Sequence, residues 1–188
     1  DSDYKVIQSD KCEIITGDID SDNALKETLD GCDAVIYLIA LIREFPKKGL
    51  TNEKLQFRGS EKVAKIAEEL GIRLCCHPDD PPFSLLGLPR IMSTEDDYKT
   101  ILEEVDLPAN GITLCSGSLG VRHDNDILGM MKRLGHRVHF LHLRNVKRES
   151  TSIPGSFFEA SHLDGDTDMV GLITDCLLYT SPSPRDRG

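Results

Sequence analysis

Between residues 72 and 143 three short, mostly apolar runs, "IRLCC" (72–76), "GITLC" (111–115) and "RVHFLHL" (137–143), alternate with two stretches of helical periodicity. Runs of that length suit buried strands, and apolar residues three and four apart suit helices. Strands separated by helices are joined most simply in parallel, so this alternation predicts an α/β fold. The helix signals agree. Ser93 or Thr94 can cap the first helix, with an acid three residues on in either register. Asp124 or Asn125 opens the second, which carries Ile127, Leu128, Met131 and Leu134 and closes at Gly135. Upstream, "CEIIT" (12–16) reads as a strand, and Ser21 or Asp22 caps a helix with Ala24, Leu25 and Leu29 on one side. "AVIYLIAL" (34–41) reads as a strand buried on both faces. A long helix over 53–70 follows, with a Val63, Ile66, Ala67 and Leu70 stripe and Gly71 at its C-terminal cap. A last helix is expected to start near Asp166.

Composition narrows the function classes. A net charge of −10 argues against nucleic acid as a partner. No apolar run approaches the roughly 20 residues of a membrane span, so no membrane partner is expected. Six irregularly spaced cysteines do not read as a disulfide framework, and a cytoplasmic location is expected. The first residue is not Met, so the chain is expected to begin within a gene.

The runs also end alike. His77 follows the first, Cys115 closes the second, and His142 lies near the end of the third, with about one βα unit between successive members. In a (β/α)₈ barrel, active-site groups converge at the carboxyl ends of the strands. Imidazole and thiolate are ligands for a divalent transition metal, and by softness alone this set suggests zinc. Taken singly, Cys115 also fits a small buried hydrophobe, and His142, on one strand face with Val138 and Phe140, also fits a core histidine. His139 falls on the opposite face. Arg122 and Arg144 are candidate catalytic residues that hold a carboxylate or hydroxyl with paired donors; the alternative for each is a surface charge. Asp79 and Asp80 either orient His77 or cap the turn that follows.

The segments "HPDDPPFSLLGLPRIMSTEDDY", "NGITLCSGSLGVRHDNDI", "RVHFLHLRNV" and "FFEASHLDGDTDMVGLI" together resemble the mannonate dehydratase family, which has a xylose-isomerase-like TIM barrel. The likeness covers about residues 72–174. It implies a lyase that dehydrates the sugar acid D-mannonate to 2-dehydro-3-deoxy-D-gluconate with Mn²⁺ or Fe²⁺ as cofactor. It also implies His77, Cys115 and His142 as metal ligands. The family's fourth ligand, an Asp in an Arg-Pro-Asp-His-Gly segment, is not found after "HLDGDTDM", so the expectation is that this chain by itself does not turn over.

Residues 4–72 instead resemble an extended or atypical short-chain dehydrogenase, related to nucleotide-sugar epimerases. That likeness rests on "GDI", the capped helix and "DAVIYLIAL", and it implies NAD(P) beside Asp18, Ile19, Ala40 and Leu41. The glycine-rich phosphate loop and a Tyr-x-x-x-Lys pair are missing from it. Asp18 read without the likeness is a helix-leading acid. "CLLYTSPSPRDRG" (176–188) reads as a disordered tail and resembles translated sequencing adapter. The expected organisation is therefore a Rossmann-like fragment over 1–71, a partial TIM barrel over 72–175 and an artefactual tail over 176–188, joined as a chimera. Its function is sugar-acid dehydration, and the alternative is a dinucleotide-binding module.

Overall fold

The computed structural model describes residues 11–33, 35–39 and 43–180. It divides into two units, 1–72 and 73–188.

In the first unit, helix α1 (Asp22–Leu29) is capped by Ser21, whose hydroxyl accepts the Ala24 N–H at 3.3 Å. Helix α2 (Gly59–Leu70) follows a wider π-type turn over Glu53–Arg58. Gly71 closes α2 at φ +71°, a left-handed conformation that strains any residue with a Cβ. The core here is small: Ile19, Leu29, Val63, Ala64, Ile66, Ala67 and Ile72. Leu70 leaves the expected stripe and is 40% exposed. Two strand expectations fail. Residues 12–16 form no strand, and neither do the described residues of 34–41, where Ile36 and Leu38 are more than four-fifths exposed. An apolar run becomes a strand only when a neighbour takes its backbone hydrogen bonds, and this unit has no strand ladder among its described residues.

The second unit is built on a parallel sheet in the order β1 (Leu74–Cys76), β2 (Asn110–Cys115), β3 (Val138–His142). The α/β expectation with parallel strands holds here. Helix α3 (Glu95–Glu104) connects β1 to β2. Thr94 and Asp97 form a reciprocal capping box, in which Asp97 also accepts the Ser93 and Thr94 N–H groups at 2.9 and 2.8 Å. A short helix α4 (Ser116–Gly120) and helix α5 (Ile127–Leu134) lead to β3. The cap of α5 is Asp126, not Asp124 or Asn125; its carboxylate accepts the Gly129 N–H at 2.9 Å. Between β2 and β3 the register shifts: Ile112 pairs with Val138 but Thr113 pairs with Phe140, leaving His139 as an extra residue. The His139 ring lies where a Cβ on Gly111 would stand, and its Nε2 is 2.8 Å from the Pro108 carbonyl.

Tyr98, Ile112, Leu114, Leu119, Met130 and Leu172 form the centre of the core beside the sheet. The Tyr98 hydroxyl donates to the Thr113 carbonyl at 3.0 Å, so its buried polar atom is satisfied. Two elements had no sequence signal, the antiparallel ribbon β4 (Asn145–Arg148) and β5 (Phe157–Ala160). Helix α6 (Met169–Thr180) starts later than Asp166, and the Asp168 carboxylate accepts the Gly171 N–H at 2.9 Å. Residues 176–180 are its last turn, so the expected tail is helical there; 181–188 lie outside the described residues. No helix among the described residues is long and apolar enough to cross a membrane.

Candidate metal centre

Parallel strands end at the same edge of a sheet, so the register decides which side chains meet there. Cys115 and His142 are direct partners across β2 and β3. His77 is the first residue past β1. One ligand atom from each of His77, Cys115 and His142 lies within 4.8 Å of the others. His142 Nδ1 is 3.2 Å from His77 Nε2 and 3.3 Å from Cys115 Sγ. Ligands at the usual distances from one tetrahedral ion, about 2.0–2.1 Å for nitrogen and 2.3 Å for sulfur, stand about 3.3–3.6 Å apart. Two of the three separations come close to that range, and the third stays within 4.8 Å.

The surroundings prepare these donors. His77 Nδ1 is 2.8 Å from the Pro78 carbonyl, which can only accept, so the proton sits on Nδ1 and Nε2 presents its lone pair. Cys115 is fully buried at the start of α4, where the Ser118 N–H donates to its sulfur at 3.4 Å. Both imidazoles are exposed, so the cluster opens towards solvent on the histidine side. Cys76, next to His77, packs against the core instead, and burial pushes its thiol up to about 11.

Asp79 and Asp80 divide their work. Asp79 Oδ2 accepts the Ile91 and Met92 N–H groups, both at 2.8 Å, and so closes the loop after His77 on itself. Asp80 pairs with Arg144. Arg144 also forks onto Glu159 of β5, with Nε 2.9 Å from Oε1. Its guanidinium holds the Glu159 carboxyl below the usual carboxylate range. Arg122 forks onto Asp124 at 3.0 and 2.7 Å, and its Nη1 is 3.4 Å from the Pro82 carbonyl. Both candidate arginines therefore already face carboxylates of this chain. Glu159, Ser116 and Ser118 were missed from the sequence. The serines had a signal in their place directly after Cys115; Glu159 had none, because its partner lies across an unforeseen ribbon.

The model of the D-mannonate dehydratase (UxuA) family matches residues 24–179, most of the chain. The chain belongs to this family. It is 53% identical over 130 residues to a mannonate dehydratase of Saccharophagus degradans, which covers 69% of this chain and 32% of that protein. To a mannonate dehydratase of Rhizobium meliloti it is 54% identical over 132 residues, again 69% of this chain and 33% of that protein. The chain thus spans about a third of the length of these curated relatives. The crystal structure of mannonate dehydratase from Streptococcus suis superposes with a TM-score of 0.58 at 34% identity, over 65% of this chain and 36% of that one. A xylose isomerase-like TIM-barrel protein from Mycobacterium smegmatis, solved in complex with magnesium, gives 0.52 at 18% identity over 77% of this chain and 44% of its own, which bears on the fold alone.

The family match takes in most of α1 and all of α2, so the Rossmann reading of the first unit finds no support, and the adapter reading of the tail finds none either. Asp18 accepts the Asp20 N–H at 2.9 Å in the turn before α1, the helix-leading role, and Ile19 is buried. Ala40 and Leu41 lie outside the described residues.

Proposed function

We propose that this mannonate dehydratase family chain carries the metal-binding part of a site that dehydrates D-mannonate to 2-dehydro-3-deoxy-D-gluconate. The observation behind the proposal is the convergence of three donor atoms from the ends of three parallel strands. His77 through Nε2, Cys115 through its sulfur and His142 through Nδ1 would hold the ion. Softness of the donors alone suggests zinc; the resemblance to the family is what implies Mn²⁺ or Fe²⁺ instead. A bound divalent cation supplies charge stabilisation to an enediolate, the form a carboxylic acid takes when its alpha proton leaves.

The chain's own residues supply placement. The Pro78 carbonyl sets the His77 tautomer, and Asp79 fixes the loop that presents it. We assign the holding of the substrate carboxylate to Arg122, which pairs with the single carboxylate of Asp124, where Arg144 is held by two, Asp80 and Glu159. A cytoplasmic enzyme acting on a sugar acid is the corresponding setting.

Cobalt titration tests the site, because a thiolate–cobalt pair has its own ultraviolet charge-transfer band. The band should grow to one equivalent and vanish in Cys115→Ser. Adding D-mannonate should then shift the visible cobalt bands, whereas D-glucose, which lacks the carboxylate, should not. A chain that binds no cobalt at micromolar concentrations, or whose bands respond equally to both sugars, would sink the proposal.

A further inference from the structure

Three segments far apart in the chain each deliver one donor atom, and each meets Arg144 within three residues of that donor. Asp80, three residues after His77, pairs with the Arg144 guanidinium. Ser118, three after Cys115, has its hydroxyl 3.4 Å from Arg144 Nη1. Ser116, directly after Cys115, accepts the Arg144 N–H at 3.1 Å and donates to the Arg144 carbonyl at 2.6 Å. Arg144 itself follows His142 by two. The aliphatic stem is fixed as well, since a Cβ on Gly117 would lie 2.5–2.8 Å from Arg144 Cβ, Cγ and Cδ. Glu159 takes the remaining edge of the guanidinium. The Arg144 side chain is only 20% exposed, and all three guanidinium nitrogens donate.

A planar group with donors on several edges can register several partners at once, which a single ammonium cannot do. We infer that Arg144 is a positioning residue that ties the His77 loop, the Cys115 turn and the end of the His142 strand into one geometry, rather than a residue that touches substrate. The inference rests on reading His77, Cys115 and His142 as one cation site. Its structural half, the tie itself, does not need the ion. Asp80 and Glu159 keep the guanidinium from swinging towards an incoming sugar acid, and Gly117 is the residue that lets its stem lie against α4.

Hydrogen exchange on the metal-free chain reads the tie directly. In Arg144→Ala, the amides of His77, Asp79 and Asp80 and those of 115–120 should exchange about tenfold faster, while those of α3 and α5 hold their rates; a general loss of stability would speed all of them. Cobalt affinity should fall about 10–100-fold, the usual cost of removing a partner behind a metal ligand, with a changed visible spectrum. Arg144→Lys should not restore it. If Arg144→Ala does not fold, Glu159→Gln removes one partner only and should give the same pattern at about a third of the size. Exchange in both segments within twofold of the parent, in whichever variant folds, overturns the inference. If the parent binds no cobalt yet the local exchange still rises, the tie stands and the cation reading falls.

Discussion

The two units use similar apolar residues with opposite results. In the first, Ile36 and Leu38 lie more than four-fifths exposed, and its small core sits along two helices. In the second, Ile112, Leu114 and Leu119 are fully buried around a parallel sheet. The run around Ile36 is, residue for residue, the more apolar of the two. Hydrophobic content therefore does not decide burial here. For an extended run a ladder of neighbouring strands does, because only a paired backbone can be taken out of water without loss. The donor cluster lies in the unit that has the ladder.

Substitution separates the units most sharply at the core. Leu114→Ala should destabilise the second unit by about 2–5 kcal/mol and abolish the cobalt band, while Leu38→Ala should stay within about 0.5 kcal/mol. Urea denaturation followed by circular dichroism measures both, and equal costs would break the contrast. Ligand removal comes next. His142→Ala should weaken cobalt by more than the roughly 10–100-fold expected for an outer partner, with thermal stability nearly unchanged. Asp18→Ala in the first unit should leave cobalt binding alone. Saturable NADH binding that Asp18→Ala removes would restore the dinucleotide reading of that unit.

Smaller effects should follow at the helix caps. Thr94→Ala removes two bonds of its hydroxyl, from the Asp97 N–H at 3.4 Å and to the Asp97 carboxylate at 2.8 Å, and should cost about 1 kcal/mol, whereas Ser21→Ala loses one bond at 3.3 Å and should cost about 0.5 kcal/mol. Differential scanning calorimetry resolves the difference. Acid gives the smallest effect. The Arg133 guanidinium beside Glu95 holds its carboxyl below the usual carboxylate range. Its contribution is complete above the unfolded pKa near 4 and is lost as pH falls through the lower folded value. Melting temperature should drop between pH 5 and pH 3, and Glu95→Gln should flatten that drop. The Glu61 carboxyl, lowered by its surface pairing with Lys65, should add a contribution that salt removes.

Local features were legible in the sequence because they need only near neighbours. The Thr94–Asp97 box, Gly71 at the end of α2 and the core of β2 follow from residues within one turn or strand. The cap of α5 falls on Asp126 because Asp124 is taken by Arg122 and Asn125 donates to the Ser93 and Leu119 carbonyls, the first of which lies outside the local sequence. The meeting of His77, Cys115 and His142 was legible because strand ends are. The partners of Arg144 were not, since Asp80 and Glu159 approach it from 64 and 15 residues away through a loop and a ribbon without a periodic signature. Residues 34–41 misled for the opposite reason. A continuous apolar run states a preference for leaving water and says nothing of which neighbour will receive it.

The surplus residue in β3 works as a parity switch. Without the bulge, a regular ladder running on from the Ile112–Val138 pair would set Leu141 opposite Cys115 and carry the imidazole one step beyond the sheet's edge. Pairing His139 into the ladder, with no residue lost, would thus take the second imidazole out of the donor set. Gly111, by leaving room for the displaced ring, is what permits the count to be odd.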